Sequence, residues 1–206
     1  MKLYYFPGAC SLGIDVLLEE IGAPFEPILV DFKKSEQRSP EYLAINPKGK
    51  VPLLVRDNGN PLTEWPAIAL YLARRHPEAV LLPANPEDEA DALSLIEYIV
   101  STVHMQAFAR IFRSERFTPN EADYPAVSAQ GKQMFLDGLA LIDRQLEGRE
   151  YVAGGRFSIA DAAVLFVSFW AARGEFPMGP NLAAHFARMK QRGSVQRAFN
   201  REGLKL

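Results

Sequence analysis

Apolar and polar positions change period several times over the first 75 residues. Lys2–Phe6 is a short, aromatic-rich run of strand character. Ile14, Leu17, Leu18 and Ile21 then fall at i, i+3, i+4 and i+7, the stripe of an amphipathic helix. Pro7 and Gly8 punctuate the turn between strand and helix, and Gly22-Ala23-Pro24 ends the helix. Phe25–Val30 reads as a second strand, and Pro27, which cannot donate to a ladder, assigns it to an edge. Asp31–Tyr42 is polar and leads into a short helix. Val51–Arg56 and Pro61–Thr63 are strands flanking Asp57-Asn58-Gly59-Asn60, where Asn-Gly tolerates the positive φ of a hairpin turn. Trp65–Arg75 is helical, with Pro66 suited to its first turn.

The pattern then loses its strands. His76–Pro86 holds Pro77, Pro83 and Pro86 and reads as a linker. Asn85-Pro86-Glu87-Asp88-Glu89 joins a cap, a first-turn proline and acids, so it starts a helix, which runs to about Arg116. Its main apolar stripe is Leu93, Ile96, Val100, Val103 and Ala107; a more polar stripe holds Glu97, Ser101, His104 and Phe108. Pro125–Leu146 is a second long helix. Ser158-Ile159-Ala160-Asp161 resembles a capping box with Asp in place of Glu. The apolar run Ala162–Val167 after it fits a buried strand or a buried helix, and the cap and the alanines favour the helix. Leu182–Arg192 and Val195–Asn200 are shorter helices. The predicted class is α/β followed by all-α: a domain with a four-stranded mixed sheet over 1–79, and an all-helical domain over 85–206.

Composition narrows the classes. The chain has 206 residues, 48% of them apolar and 23% charged, ordinary for a globular protein. A formal net charge of -2 offers no basic excess to neutralise phosphates, which argues against a nucleic-acid binder. No apolar run is long enough to span a bilayer, and the stretch before Pro7 is too short for a signal peptide. One cysteine excludes an internal disulfide and a cysteine-cluster zinc site. No metal is expected, and a cytoplasmic location is.

That cysteine is the leading chemical candidate. Cys10 lies at the mouth of the first helix, where unpaired amides and the dipole favour an anion, so its pKa is expected below the ordinary value of about 8.5. Ser11 is a candidate N-cap. The competing reading is that Cys10 is a small core residue, as free cysteines usually are. His104 is open to a structural or a chemical role. His76 and His185 have no partners at metal spacing and read as surface residues. Lys33 and Lys34 are solvated, or hold a substrate carboxylate. At Val51-Pro52, a cis bond would turn the valine's backbone groups outward towards a ligand, whereas a trans proline at a strand start does no harm. Glu64 precedes a helix and offsets its dipole.

The string Asn46-Pro47-Lys48-Gly49-Lys50-Val51-Pro52-Leu53-Leu54, then Leu62-Thr63-Glu64 and Ala67-Ile68 with Tyr71-Leu72, resembles the glutathione-binding domain of cytosolic glutathione transferases. Lys2-Leu3-Tyr4-Tyr5, Pro7-Gly8 and Cys10-Ser11-Leu12 are similar to the bacterial beta class, as are Ser101-Thr102-Val103-His104 and Phe108. Ser158–Asp161 matches the family's capping motif. The resemblance covers essentially the whole chain. It implies a thioredoxin-like N-terminal domain, an all-helical C-terminal domain and a homodimer, with no nucleic-acid or membrane partner.

It also implies residue roles. Glutathione, as co-substrate, would lie along the first domain against Lys34, Lys50, Val51, Pro52, Glu64 and Trp65. Val51 would pair with its cysteinyl backbone across a cis Val51–Pro52 bond, and Glu64 and Trp65 would hold its γ-glutamyl end. Cys10 and Ser11 would sit at the sulfur and His104 would face it from the second domain. A small hydrophobic electrophile would occupy the cleft near Phe6, His104, Phe108 and Phe112.

Two departures stand out. The family usually has Ser or Gly where this chain has Trp65, which puts a large ring at the edge of the site and removes a hydroxyl. Losing one hydrogen bond to a charged group costs about 1.5–3 kcal/mol, so weaker glutathione binding is expected. Met105 stands where the beta class usually has Lys. Three functions follow: conjugation of glutathione to electrophilic carbon, thiol-disulfide exchange through a Cys10 mixed disulfide, or a non-catalytic ligand-binding module.

Overall fold

The computed structural model describes residues 1–205. They divide into two compact units, one formed by Met1–Leu82 together with the described residues from Arg188 onward, the other by Pro83–Ala187.

In the first unit, β1 (Lys2–Tyr5), β2 (Glu26–Leu29), β3 (Leu53–Val55) and β4 (Pro61–Thr63) form one sheet in the order β2-β1-β3-β4. β1 and β2 are parallel; β1–β3 and β3–β4 are antiparallel, with Leu3 opposite Leu54 and Leu54 opposite Leu62. β2 is an edge strand, as Pro27 requires. The expected helices are α1 (Ser11–Ile21) and α3 (Trp65–Arg75), with α2 (Pro40–Ile45) short and capped by the Ser39 side chain. Leu3, Leu53 and Leu54 of the sheet, Ile14, Leu17 and Leu18 of α1, and Ile68 and Leu72 of α3 are all fully buried. That apolar contact fixes both helices against the sheet.

The unit also takes in α9 (Gly193–Arg201), which the sequence pattern assigned to the helical domain. Val195, Ala198 and Phe199 give α9 a buried face. Arg192, Arg197 and Arg201 make ion pairs with Glu20, Glu19 and Asp15 of α1.

The second unit is helical, and no described residue beyond Pro86 lies in a strand. α4 (Pro86–Tyr98) starts as its signature indicates, with Asn85 Oδ1 accepting from the Glu87 amide at 3.1 Å. The expected single helix to Arg116 is instead interrupted. A π-helical segment, Ile99–Phe108, follows α4, then α5 (Ala109–Phe112) and a 3-10 turn at Ser114–Arg116. Ser101 Oγ donates to the Glu97 carbonyl at 2.7 Å, so a side chain competes for the carbonyl ladder inside the π segment. α6 (Tyr124–Gln145) lies tightly against it. A Cβ at Gly131 would sit 2.8 Å from the Ala107 carbonyl oxygen, and one at Gly138 2.8 Å from Val103 Cγ2. The ambiguous run after Ser158 is helical, in α7 (Ile159–Arg173), and residues 159–171 are all buried. An element buried all round explains the absence of a polar stripe. α8 (Pro180–Lys190) follows.

Candidate active site

The turn after β1 carries Cys10. Gly8 supplies a left-handed φ of 73°, and its amide donates to Glu202 Oε2 at 2.7 Å. Ser11 does not cap α1. It is the first helical residue, fully buried, and its Oγ exchanges hydrogen bonds of 3.3 Å with the Phe6 amide and carbonyl, bracing the turn. Cys10 takes the N-cap position without a side-chain cap. Its carbonyl accepts from the Gly13 amide at 3.1 Å and from Trp65 Nε1 at 3.0 Å. Its Sγ points to the Val51 carbonyl oxygen at 3.7 Å.

The expectation of an acidified thiol is overturned. Cys10 is only 7% exposed, and burial pushes its thiol up to about 12. The Cys10 and Ser11 amides and Lys50 act downward, but burial outweighs them, and Glu202 pushes further up. Helix-mouth donors lower a thiol's pKa on balance only where they outweigh the cost of burying the thiolate.

The Val51 segment is held from behind. Lys50 O accepts from Tyr42 Oη at 2.7 Å and Asn46 Nδ2 at 2.8 Å. Gly49 has φ 61°, and a Cβ there would meet the Gln37 carbonyl oxygen at 2.9 Å. The Val51–Pro52 bond is cis, and Pro52 is buried. The β1–β3 ladder begins at Tyr4–Leu53, so the sheet does not use the backbone groups of Val51. Lys50 and Lys34 have exposed side chains, the latter 3.7 Å from Asp31.

Glu64 precedes α3 with φ 71° and ψ 123°, uncommon for a residue with a Cβ. Its exposed carboxylate is 2.7 Å from Lys48 Nζ, which also donates to Thr63 Oγ1 at 2.8 Å. The Trp65 ring is not at an open edge, as the sequence suggested. It turns inward and is 3% exposed. Phe6 stacks on Phe32, with ring centroids 4.6 Å apart.

In the helical unit, the His104 ring packs edge-on against Trp170 at 4.7 Å, and Phe108 stacks on Trp170 at 4.3 Å. Phe112 is 4.8 Å from Phe108 and 58% exposed. His185, read from sequence as a surface residue, is buried, with its Nε2 3.0 Å from Asp161 Oδ1.

The first unit thus gathers Phe6, Cys10, Ser11, Val51, Pro52, Glu64 and Trp65, while His104, Phe108 and Phe112 share one aromatic cluster of the second. Sequence reasoning missed Lys48, Tyr42 and Glu202. The turn signal at Asn46–Lys50 marked the first of these, but nothing local marks Glu202, 194 residues from Gly8. No group of three or more His, Cys, Asp or Glu that could hold a metal occurs among the described residues. No helix among them is long and apolar enough to cross a membrane.

The N-terminal domain model of glutathione S-transferases matches residues 1–74, and a C-terminal domain model of the same family matches residues 125–188. Glutathione S-transferase GstA of Escherichia coli O157:H7 is 38% identical over the full length of both chains. A glutathione transferase homologue from Sulfitobacter, solved with bound glutathione, superposes with a TM-score of 0.91 at 31% identity, covering 99% of this chain and 98% of that one. A bacterial beta-class transferase from Sphingomonas chungbukensis gives 0.84 at 34% identity over all of both chains.

Proposed function

The chain belongs to the glutathione S-transferase family, and we propose that it joins the glutathione thiol to small hydrophobic electrophiles, with the Cys10 S–H donating to the glutathione sulfur. In the reaction, the glutathione thiolate forms a C–S bond at an electrophilic carbon. The leaving group departs with the electron pair of its bond, and the thiol proton goes to solvent.

One observation carries the choice of chemistry: the burial of Cys10. A thiol pushed up to about 12 stays protonated at pH 7, so Cys10 is a poor nucleophile, and its one S–H, which points to the Val51 carbonyl oxygen, turns from it to donate to the glutathione sulfur. A neutral S–H beside a thiolate stabilises it, whereas two thiolates side by side repel. Thiol-disulfide exchange needs the Cys10 thiolate as attacker and is therefore the weaker activity.

The remaining roles follow the resemblance. Val51, outside the β1–β3 ladder, offers its backbone to the cysteinyl unit. Glu64 and the Trp65 amide, at the start of α3, take the γ-glutamyl end, where the helix N-terminus favours its carboxylate. Lys34 and Lys50 are exposed cations for the other carboxylate. His104 supplies a second donor, Ser11 braces the Cys10 turn, and Phe6, Phe108 and Phe112 supply apolar surface for the electrophile. Homodimeric assembly and a cytoplasmic location complete the reading.

The test has two steps. Calorimetric titration with glutathione is expected to show binding; no heat would favour a non-catalytic module. Turnover of a chlorinated nitroaromatic is then compared with turnover of a glutathione mixed disulfide. Cys10→Ala is expected to abolish exchange and to lower conjugation about 10-fold or more, the loss of one donor to a charged sulfur. Exchange outrunning conjugation in the unmodified protein would favour the redox reading.

A further inference from the structure

Trp65 makes a bond that no role assigned so far uses. Its Nε1 donates to the Cys10 carbonyl at 3.0 Å in a buried setting, across 55 residues of chain. The same carbonyl accepts from the Gly13 amide at 3.1 Å, so both its lone pairs are engaged. Cys10 is then constrained on two sides. Its peptide is tied to α3 through Trp65, and its Sγ rests on the Val51 carbonyl. Trp65 follows directly on Glu64, whose φ of 71° sets the entry to α3. A rigid, two-torsion side chain thus spans from the Glu64 corner to the thiol turn.

We infer that Trp65 is a positioning residue: its indole N–H fixes the Cys10 peptide against the start of α3 and so holds the thiol under the Val51 carbonyl. The large ring that the sequence marks as an intrusion into the site acts as a strut behind it. Part of the inference deepens the glutathione reading, because the strut links the two ends of the surface assigned to that co-substrate.

The test is Trp65→Phe, which keeps an aromatic ring and removes the donor. Freed from one of its two carbonyl bonds, the Cys10 turn opens more often. Alkylation of Cys10 by iodoacetamide at fixed pH is expected to rise about 3- to 10-fold, the population change given by one ordinary hydrogen bond. The KM for glutathione is expected to rise by a similar factor, with kcat for a chlorinated nitroaromatic changed less. A residue that only packs would lower the melting temperature and leave both quantities unmoved; that result overturns the inference. The alkylation measurement needs no glutathione, so it stands even if the glutathione reading fails. If Trp65→Phe does not fold, the unmodified chain decides. It has two tryptophans, and the Trp65 indole N–H is expected to exchange with solvent at least about 100-fold more slowly than a free indole, since exchange must wait for the buried turn to open. Exchange at the free rate overturns the inference.

Discussion

Replacing Asp161 by Ala is expected to remove a large part of the stability of the helical unit. The Asp161 carboxylate is fully buried and accepts from the Val152 amide at 3.0 Å, the Ser158 amide at 2.9 Å, the Ser158 hydroxyl at 2.9 Å and His185 Nε2 at 3.0 Å. A carboxylate can only accept, so the His185 proton sits on Nε2. These bonds close the capping box of α7 and tie it to the loop before it and to α8. Alanine would orphan each of those donors at a cost of about 1–3 kcal/mol apiece, and local relaxation recovers only part. A loss of about 4 kcal/mol or more is expected, against a total stability of about 5–15 kcal/mol for a domain. The urea midpoint of the full chain measures it. A shift equivalent to less than about 1 kcal/mol would mean that the donors find other partners.

Glu202 gives the second large effect, read as a pH dependence. The residue is 5% exposed, its Oε1 has no hydrogen-bond partner among the described residues, and burial pushes the carboxyl up to about 8, with Asp15 adding to the rise and the Gly8 amide opposing it. The folded chain therefore keeps the proton between the ordinary 4.5 and about 8, while the unfolded chain gives it up. The native state binds more protons in that window, so stability falls as pH rises through it. The contribution is fully present below pH 4.5 and gone above about 8. Its size is on the order of 3–5 kcal/mol.

Asp15 adds the same sign over a lower window. Burial pushes it up to about 6 although Arg201 contacts it, so desolvation outweighs that ion pair. Glu202→Gln keeps an acceptor for the Gly8 amide and removes the titration. Urea midpoints from pH 5 to pH 9 are expected to fall steeply for the unmodified chain and more gently for Glu202→Gln, where Asp15, joined by Cys10 near the top of the range, still drives the decline. Parallel profiles would show that Glu202 is ionised in the folded state.

How legible these features are in the sequence depends on how local their causes are. The turn Pro7-Gly8, the Asn-Gly hairpin, the Pro66 helix start and the Ser158–Asp161 box each act within a few residues, and each appears where the pattern puts it. The place of α9 does not, because Arg197 and Arg201 within it, and Arg192 just before it, answer carboxylates on α1 that no local periodicity connects to them. The π-helical segment keeps near-helical spacing and so passes for an α-helix. At the site, the position of Cys10 is legible but its ionisation is not. The amides that favour a thiolate are local, whereas what opposes it, burial in the folded chain and the charge of Glu202, is set by residues far along the chain. Trp65 misleads for the same reason: sequence shows its size, and only the packing shows that the ring turns inward to the Cys10 carbonyl.

The rate of Cys10 alkylation against pH, with and without glutathione, tests the central claim most directly. A buried neutral donor beside the glutathione sulfur is expected to react slowly, to gain rate still above pH 10, and to be shielded when glutathione is bound. A rate that levels off below about pH 8.5, the ordinary range for a thiol, or that ignores glutathione altogether, would contradict it.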